Sequence, residues 1–441
     1  MVKIILIYYL FLIQIFIGNS RLGVLHVDYQ SIIPYISEAL RQTNTDVEGI
    51  ESHMKQFQRM LENLHARFCE HEAEFYPDPQ RTAPFIERLS PFWLTAIGSC
   101  LFLTIIILSV VMLNVGSVAQ STLKDQTERS QRGILIDLYD ATQGDYWTNK
   151  TGWLSNSTVC EWFGVKCSAS GEVTELWMSF NRLNGTIPSS LANLTSLVAI
   201  RLSNNHLSGT IPQSLGQLDA LQVLHLDFNR LSGTVPQSLG QLRHLEELHL
   251  EINRLGGTIP ASLGQLKNLQ KLNFANNQLS GTVPQSFEQL SAAKTMDLGG
   301  NWLTGTILSL LVQLSQLQQL HLSFNQFSET IPESIGNLTA LEALDASHNL
   351  FVGTIPPSLF ALKNLGLLSL NDNQLSAAIP SMKELKHLQW INLSTNKFTE
   401  ILMEDEPYFL MFESNCFMQD NSFKCPIPEW TQMRCKAECL W

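Results

Sequence analysis

Leucine and asparagine recur at a fixed interval through the second half of the chain. Between residues 171 and 402 the pattern L-x-x-L-x-L-x-x-N-x-L-x-G-x-I-P-x-x-L-x-x-L is repeated in register. Eight successive spacings between the repeated asparagines are 24 residues, and the last spacing is 23. Alternating apolar and polar positions, as around Leu224 and Leu226, predict a short strand with one buried face. The pattern therefore predicts about ten similar units, each marked by one asparagine: Asn181, Asn205, Asn229, Asn253, Asn277, Asn301, Asn325, Asn349, Asn373 and Asn396.

A unit of this size is not expected to fold alone. Ordering its backbone costs more free energy than the burial of its few leucines contributes. Units that stack side by side pair their strands and bury both flanks of each neighbour. The asparagine side chain carries donors and an acceptor, so it is expected to bond backbone groups that the bend buries. Repeats of this length and pattern are typical of a leucine-rich-repeat solenoid, in which the strands line the concave face.

The repeated segments resemble the plant-type leucine-rich repeats of receptor-like proteins and of secreted inhibitors of plant-cell-wall-degrading enzymes. The resemblance rests on "SGTIPQSLGQL" and "GGTIPASLGQL" and, upstream, on "LIDLYDATQGDYWTNKTGWLSNSTVCEWFGVKC" at residues 135–167. It covers residues 133 to 399 and implies an α/β fold, a right-handed solenoid with parallel strands on its concave face. It also implies that residues 133–170 form an N-terminal cap that contains Trp147, Trp153, Trp162 and the pair Cys160 and Cys167.

Several units depart from the repeated pattern. Leu308 stands where the pattern has proline, and Glu329 and Ala377 stand at the usual glycine position. The last unit, which ends in "FTEILMEDEPYF", has Glu400 and Met403 where the pattern has glycine and proline. We expect these changes to roughen the convex edge and to mark the approach to the end of the array. Residues 171–402 are thus predicted as the repeats and residues 403–441 as a cysteine-rich C-terminal cap.

Two apolar segments precede the repeats. Residues 1–20 have a lysine followed by an apolar run, which is typical of a secretory signal or of a first membrane segment. Residues 92–115 are 24 residues without a charge, enough for a helix of roughly 36 Å that spans a bilayer. Residues 21–91 contain an apolar seam at helical spacing and are predicted to be helical and cytosolic. Residues 116–132 are predicted to form a juxtamembrane stalk.

Cysteines and glycosylation sequons indicate that the repeats lie outside the cytosol, in an extracellular or lumenal compartment. Six cysteines flank the array in two groups, Cys160 with Cys167 and Cys416, Cys425, Cys435 with Cys439. This favours disulfides over a zinc site, which has shorter paired spacings. A cleaved signal followed by one membrane span would leave the repeats in the cytosol. The first segment therefore stays as a second span, or does not insert, or the true start lies elsewhere. The sequons, which support outside placement, begin at Asn149, Asn156, Asn184, Asn193, Asn337 and Asn392.

Charge and motif content narrow the function. The formal net charge is −12, which argues against nucleic acid as a partner because phosphate binding needs clustered lysine and arginine. The sequence contains no G-x-S-x-G, no H-E-x-x-H, no P-loop and no kinase signature set. We therefore expect a protein that is not an enzyme and that needs no cofactor.

Outward residues of successive strands are expected to form rows on the concave face. His225, Asp227, His249 and Glu251 lie at neighbouring positions, about 5 Å apart across the strands. Two imidazoles and two carboxylates suit a metal ion, but we favour solvated, freely varying positions and expect no metal. Apolar residues directly before the asparagines suit contact with a protein or a sugar better than they suit water. The predicted ligand-binding residues are Phe228, Ile252, Trp302, His321 and Phe324.

Together these features predict a membrane-anchored, extracellular recognition module, which is receptor-like and has no kinase of its own. Its expected ligand is a protein, a peptide or a glycan, and a co-receptor is a candidate partner. Two other functions remain open at this point. Regular repeats and glycans also suit an adhesion or cell-wall-associated structural protein, and the resemblance also implies an inhibitor of secreted hydrolases.

Overall fold

The computed structural model describes residues 127–402 and 415–440. The predicted signal-like segment, cytosolic region and membrane helix all lie outside these described residues. Within the described residues, no helix is both long enough and apolar enough to cross a membrane. A helix covers residues 127–141, and the repeated units follow it along the chain.

Twelve short strands form one sheet that contains a strand from every unit. The first two, Val165–Cys167 and Val173–Trp177, pair antiparallel, and all later neighbours pair parallel. Pairing joins equivalent residues of successive units, such as His225 with His249. This confirms the predicted solenoid with a parallel sheet. The other strands are Ala199–Arg201, Val223–His225, Glu247–His249, Lys271–Asn273, Thr295–Asp297, Gln319–His321, Ala343–Asp345, Leu367–Ser369, Trp390–Asn392 and Asn415–Phe417.

A second short strand follows the asparagine in most units and pairs with its equivalents in three smaller sheets. The five-stranded sheet contains Ser232–Thr234, Arg254–Thr258, Gln278–Thr282, Trp302–Gly305 and Gln326–Phe327. The other two sheets contain Val352–Gly353, Gln374–Ile379 and Lys397–Ile401, and the pair Asn184–Thr186 and His206–Ser208.

Short helical turns close the units after these strands. Most begin directly after the proline of the pattern, because proline fixes φ near the value that the turn entry needs. The 3-10 turns are Ser189–Asn193, Gln213–Gln217, Gln237–Gln241, Ala261–Gln265, Gln285–Gln289 and Glu333–Asn337. Two units have α-helical turns instead, Leu308–Leu311 and Pro357–Phe360. Two further 3-10 turns precede the repeats, Gly144–Tyr146 and Val159–Glu161.

The leucines of the pattern fill one continuous core. Leu224 and Leu226 are fully buried, while His225 between them is only partly buried and lies on the other face of the sheet. The alternation follows from the two-residue period of a strand. Leu239, in the turn of the same unit, is also fully buried, so the sheet and the turns enclose the core between them.

The repeated asparagines form a hydrogen-bonded ladder that joins the units. Asn277 Nδ2 donates to the carbonyl oxygens of Leu250, Phe274 and Ala275 at 3.0, 3.1 and 3.2 Å, and its Oδ1 accepts from the Leu255 N–H at 3.0 Å. Leu250 and Leu255 belong to the preceding unit, so one side chain bonds two units. A buried backbone group without a partner costs about 1–3 kcal/mol. The amide supplies donors and an acceptor together, which explains why the pattern has asparagine at this position.

Two departures from the pattern compensate for each other. Because Leu308 replaces proline, the first turn of its helix carries an additional backbone N–H that needs an acceptor. The Glu329 carboxylate of the next unit accepts from the N–H groups of Ile307 and Leu308 at 2.5 Å each, and from Ser309 at 3.3 Å. A carboxylate also favours the positive end of the helix dipole. The expectation that these changes only roughen an edge overlooks this capping contact.

Aromatic side chains and the first ladder asparagine close the N-terminal end of the array. Trp153 lies 4.7 Å from Trp147 and 4.9 Å from Trp162 between ring centroids. The Asn181 Oδ1 accepts from the Asn149 N–H at 2.6 Å, and Asn181 Nδ2 donates to the Asn149 carbonyl at 2.9 Å. The ladder therefore ends on the segment before the repeats, where no preceding unit supplies partners.

The repeat architecture continues past the tenth predicted unit. The strand Asn415–Phe417 extends the main sheet. Asn421 repeats the ladder geometry, since its Nδ2 donates to the Met418 carbonyl at 3.0 Å and its Oδ1 accepts from the Phe398 N–H at 3.1 Å. Residues 403–441, predicted as a cap, thus contain an eleventh asparagine unit. Cysteine and methionine at its two leucine positions make it hard to recognise in the sequence.

The C-terminal segment ends with the helix Glu429–Cys435 and a pair of parallel strands, Phe423–Lys424 and Cys439–Leu440. The predicted disulfides are confirmed, and all six predicted cysteines take part. The sequence left three pairings open for the last four cysteines, and the structure selects one of them. The bonds join Cys160 to Cys167, Cys416 to Cys435 and Cys425 to Cys439.

Candidate ligand-binding face

The register of the twelve-stranded sheet places equivalent side chains in straight rows. His225 pairs with His249, and Asp297 pairs with His321 in the same way. Neighbouring strands lie about 4.8 Å apart, so a ligand that lies across the strands contacts one residue from each unit. The side chains that face outward from this sheet, together with the residues directly before the ladder asparagines, are termed the sheet face.

The residue before each ladder asparagine adopts a left-handed backbone conformation. Both backbone groups there bond to neighbouring units: the Phe228 N–H donates to the Glu251 carbonyl at 2.9 Å, and the Phe228 carbonyl accepts from the Asn205 N–H at 3.2 Å. Asparagine, aspartate and glycine tolerate this conformation, whereas a bulky or β-branched residue in it is unusual. The φ angle lies between 50° and 63° at all eleven positions: Phe180, Asn204, Phe228, Ile252, Asn276, Gly300, Phe324, His348, Asp372, Thr395 and Asp420.

Four bulky apolar side chains occupy this row against the backbone preference, and they are termed the apolar row. Phe180, Phe228, Ile252 and Phe324 are 72%, 43%, 39% and 60% exposed. The Phe324 ring also stacks on the His348 imidazole, with centroids 4.1 Å apart. A disfavoured backbone conformation costs on the order of 1–3 kcal/mol, and side chains this exposed gain little from burial. Neither backbone geometry nor core packing therefore accounts for these residues, and exposed apolar groups of this kind are typical of contact surfaces.

The structure places three of the five predicted ligand-binding residues in one row. Phe228, Ile252 and Phe324 all belong to the apolar row. His321 lies in a strand of the main sheet and is partly buried. Trp302 is 56% exposed, but it begins a strand of the five-stranded sheet and so lies beyond the ladder from the main sheet. Ligand binding by these five residues stays a prediction.

Sequence reasoning did not select two tryptophans near the ends of the main sheet. Trp177 lies under two cations, with Lys166 Nζ 3.2 Å and the Arg201 guanidinium 5.0 Å from its ring centroid. Trp390 packs at 5.2 Å against the Phe417 ring. Both tryptophans are exposed at strand positions. The number of residues between each tryptophan and the next ladder asparagine could have identified both tryptophans in the sequence as part of the sheet face.

Two stacked imidazoles lie on neighbouring strands of the sheet face. The rings of His225 and His249 have centroids 4.3 Å apart and planes inclined by 21°. The His225 Nε2 lies 2.9 Å from a carboxylate oxygen of Glu247, and the second oxygen of Glu247 accepts from Lys271 Nζ at 2.9 Å. The contacts therefore run from His249 through His225 and Glu247 to Lys271, across three strands.

Burial sets the charge states in this part of the sheet face. It lowers the pKa of His225 and of His249 below the usual value, in spite of nearby carboxylates, so both imidazoles are neutral at pH 7. Burial, together with the nearby Asp227 and Asp297 carboxylates, raises the pKa of Glu251 to about 7. The Asp297 pKa is raised by its own burial as well. The sheet face therefore gains negative charge as pH rises through neutrality.

A row of basic side chains lies on the other side of the ladder. These residues directly follow the asparagines of four successive units and are all exposed, and they are termed the basic row. Within the described residues, its three arginines form no ion pair. Like charges at neighbouring positions repel each other, so the row does not stabilise the fold and instead suits an acidic ligand group. The members are Arg182, His206, Arg230 and Arg254.

The candidate glycosylation sites differ in exposure. Asn149 and Asn392 are only partly buried, and the other four are exposed: Asn156, Asn184, Asn193 and Asn337. Asn392 belongs to the strand Trp390–Asn392, where its Oδ1 accepts from the Ser394 N–H at 3.1 Å. A glycan on Asn392 would border the sheet face, and glycosylation at all six sites stays a prediction.

The repeated units match two family models that describe leucine-rich repeats. One model matches residues 172–231 and 243–303, and the other matches residues 316–338 and 340–362. These segments of the chain are leucine-rich repeats. No curated protein sequence matches it.

Solved structures show which leucine-rich-repeat proteins this one is similar to. The ectodomain of the plant membrane receptor kinase GASSHO1/SCHENGEN3 from Arabidopsis thaliana aligns with 28% identity and a TM-score of 0.59, over 70% of this chain and 44% of that chain. PEPR1, in its structure with AtPEP1, aligns with 28% identity and a TM-score of 0.52, over 71% of this chain and 51% of that chain. This chain therefore matches about half the length of these two structures, and its predicted resemblance to plant-type repeats is confirmed.

Proposed function

We propose that this leucine-rich-repeat protein is a non-catalytic recognition module that binds a peptide or an extended protein segment across its sheet face. The observation that supports the proposal is the apolar row. Phe180, Phe228, Ile252 and Phe324 are bulky and exposed, and they adopt a backbone conformation in which asparagine or glycine costs less. A surface that keeps such residues without a structural need is typical of an interface.

The rows on either side of the apolar row indicate the chemistry of the ligand. The basic row lies beyond the ladder asparagines, and the carboxylates of Asp227, Glu251 and Asp297 lie on the opposite side. A peptide with apolar side chains and an acidic group matches this order, because its acidic group meets unpaired arginines. Aromatic residues and arginine are also the types that contribute most to binding at protein interfaces.

The similar structures support the proposed ligand class. The GASSHO1/SCHENGEN3 ectodomain was solved in complex with CASPARIAN STRIP INTEGRITY FACTOR 2, and PEPR1 was solved with AtPEP1. These ligands belong to those receptors. Since this chain matches about half of each receptor, we propose the same general use of the repeats, binding of a peptide or protein, and no particular ligand.

The test is a selection of peptides followed by affinity measurements on matched variants. A random linear peptide library displayed on phage is panned on the purified full chain, and the dissociation constant of an enriched peptide is measured by fluorescence anisotropy. The test variants are Phe228→Asn and Phe324→Asn, alone and combined. Asparagine is the natural residue at the equivalent positions Asn204 and Asn276, so the substitution keeps the left-handed backbone and removes only the ring.

Met433→Gln is the control, because Met433 is an exposed apolar residue on the C-terminal helix and not on the sheet face. We expect the double variant to bind about 30-fold more weakly, from roughly 1 kcal/mol per ring, with an unchanged or slightly higher unfolding temperature. The control should stay within about two-fold of the wild type. Failure to enrich any peptide, or equal affinity of the double variant and the wild type, would contradict the proposal.

We further propose that the repeats lie outside the cytosol and are anchored by residues 92–115, with signalling through a co-receptor and without a kinase in the chain. Three disulfides support an oxidising compartment. Protease protection on intact cells, combined with deglycosylation, tests the placement. We expect digestion of the repeats from outside and a mass shift on glycan removal, and a protected, unglycosylated repeat domain would contradict it. Adhesion and inhibition of secreted hydrolases remain alternatives.

A further inference from the structure

We infer that His225, Asp227 and His249 form a binding site for a divalent transition-metal ion, with zinc as the ion to test first. Each of the three side chains offers one ligand atom, and these atoms all lie within 4.8 Å of one another. His225 and His249 belong to neighbouring strands of the main sheet and are paired in register, and Asp227 lies two residues after the strand that contains His225. This site uses none of the residues of the apolar row, although Asp227 also borders the proposed peptide ligand, and metal binding is therefore measured without a peptide.

The types of donor select a transition metal. Two imidazole nitrogens and one carboxylate oxygen are typical of zinc, cobalt, nickel and copper sites, whereas magnesium and calcium take oxygen donors almost exclusively. Zinc bonds of about 2.0–2.2 Å place tetrahedral donors about 3.3 Å apart. The present spacing of up to 4.8 Å closes to that value by small side-chain rotations and needs no movement of the sheet. A fourth position then stays open to solvent.

The side chains that hydrogen-bond to His225 and Asp227 already hold these two metal-ligand candidates in an orientation that suits a metal ion. A metal-bound histidine commonly donates its other ring N–H to a carboxylate, which fixes the tautomer and the ring orientation. His225 makes such a contact, since its Nε2 lies 2.9 Å from Glu247, and this leaves Nδ1 for the ion. The Asp227 carboxylate is likewise oriented by the Ser203 hydroxyl, which donates to it at 2.6 Å.

A buried carboxylate beside the cluster gives a second, independent indication. Oε2 of Glu251 is buried without a hydrogen-bond partner, and Oε1 lies 3.9 Å from His249 Nδ1. An unpaired buried carboxylate oxygen is unfavourable. A divalent cation between His225 and His249 would supply the positive charge that this carboxylate lacks. Solvated, freely varying positions, the interpretation that the sequence favoured, do not explain a carboxylate oxygen that is buried and has no hydrogen-bond partner in the protein.

The test uses metal ions alone on the full chain after chelator treatment and chelator removal. Isothermal titration calorimetry with zinc chloride gives the number of bound ions and their affinity, and visible absorption of bound cobalt(II) reports its coordination. The variants are His249→Gln and Asp227→Asn, which remove ligands, and Glu247→Gln, which removes the orienting carboxylate. His206→Gln is the control, because His206 is an exposed histidine away from the cluster.

We expect the wild type and His206→Gln to bind one zinc ion more than His249→Gln and Asp227→Asn do. Glu247→Gln should keep that ion with about 10- to 100-fold weaker affinity, as is usual when an orienting partner is lost. Thermal unfolding without metal verifies that each variant is folded. If His249→Gln does not fold, the zinc binding of Asp227→Asn is compared with that of the wild type instead. Equal zinc stoichiometry and affinity in the wild type and in a folded ligand variant would overturn the proposal.

Discussion

Replacing Asn277 by aspartate tests whether the asparagine ladder holds the units together. The substitution keeps the shape of the side chain but removes the amide donors on which the carbonyls of Leu250, Phe274 and Ala275 depend. Loss of two donors costs about 2 kcal/mol. The new carboxylate is buried and faces three carbonyl oxygens, which raises its pKa above the usual value, and a buried charge without a partner adds about 3 kcal/mol at pH 7. We therefore expect a loss of about 5 kcal/mol in the free energy of unfolding at pH 7.

Asn276→Asp is the matched control, since Asn276 is the preceding residue, is exposed, and adopts a left-handed conformation that aspartate tolerates. Its unfolding free energy should change by less than about 0.5 kcal/mol. Denaturant unfolding of the full chain is followed by circular dichroism, and hydrogen exchange is measured at the Leu255 amide that bonds to Asn277 Oδ1.

The pH dependence of the Asn277→Asp variant tests whether a buried negative charge causes the loss of stability. The folded-state pKa of the new aspartate is raised, so folding binds a proton. The penalty is therefore smallest below about pH 4 and grows as pH rises toward the folded-state pKa. The reasoning is refuted if the two aspartate variants differ by less than about 1 kcal/mol at pH 7. It is also refuted if the Leu255 amide exchanges no faster in Asn277→Asp than in the control.

Three further substitutions have defined outcomes. Because burial raises the pKa of Glu251 to about 7, the wild type should lose stability as pH rises from about 4.5 to about 7. Glu251→Gln should remove this loss, and its unfolding free energy at pH 8 should exceed that of the wild type by about 1–2 kcal/mol after allowance for solvent screening. Denaturant unfolding with chelator present measures both effects. Glu329→Ala should lower the free energy of unfolding by about 1–2 kcal/mol, since it leaves the N–H groups of Ile307 and Leu308 without their acceptor. The control Glu333→Ala, at an exposed position, should change the free energy of unfolding by less than about 0.5 kcal/mol. Ala377 occupies a glycine position at φ 67°, so Ala377→Gly should raise the unfolding free energy by about 0.5–1 kcal/mol, and an unchanged or lower value would show that this backbone is not strained.

The periodic part of the fold was predictable from the sequence. Strands, turns and ladder asparagines follow from one pattern repeated in register, and a pattern such as Leu224, Leu226 and Asn229 has only one stacked arrangement that buries every leucine. The presence of disulfides was predictable from the grouping of the cysteines. Their pairing in the C-terminal segment was not, because connectivity depends on how the helix Glu429–Cys435 lies against the last strand.

Non-periodic contacts were not predictable. The capping of Leu308 by Glu329 joins residues of two units whose departures look unrelated in the sequence. The eleventh unit was missed because Cys416 and Met418 replace its leucines. Each of these contacts is made by residues that depart from the repeat pattern. Only the stacked structure shows which groups these residues contact.

The candidate site was predictable only in part. The exposure of Phe228 and Phe324 was predictable from their place directly before the asparagine. The left-handed backbone conformation, which disfavours bulky residues at these positions, was not predictable. Trp302 was grouped with them by nearness in sequence, although it begins a strand of a different sheet. The stacking of His225 on His249 depends on side-chain rotamers, which periodicity does not determine.

The most direct test of the proposed recognition face is to map which side chains a bound peptide covers. Hydroxyl-radical footprinting of the full chain, with and without the selected peptide, reports the solvent access of aromatic and sulfur-containing residues. We predict that modification of Phe228 and Phe324 falls several-fold in the complex, while the exposed Tyr146 and Met433, which lie outside the sheet face, react as before. Unchanged modification of both phenylalanines, with protection at Tyr146 or Met433, would contradict peptide binding on the sheet face.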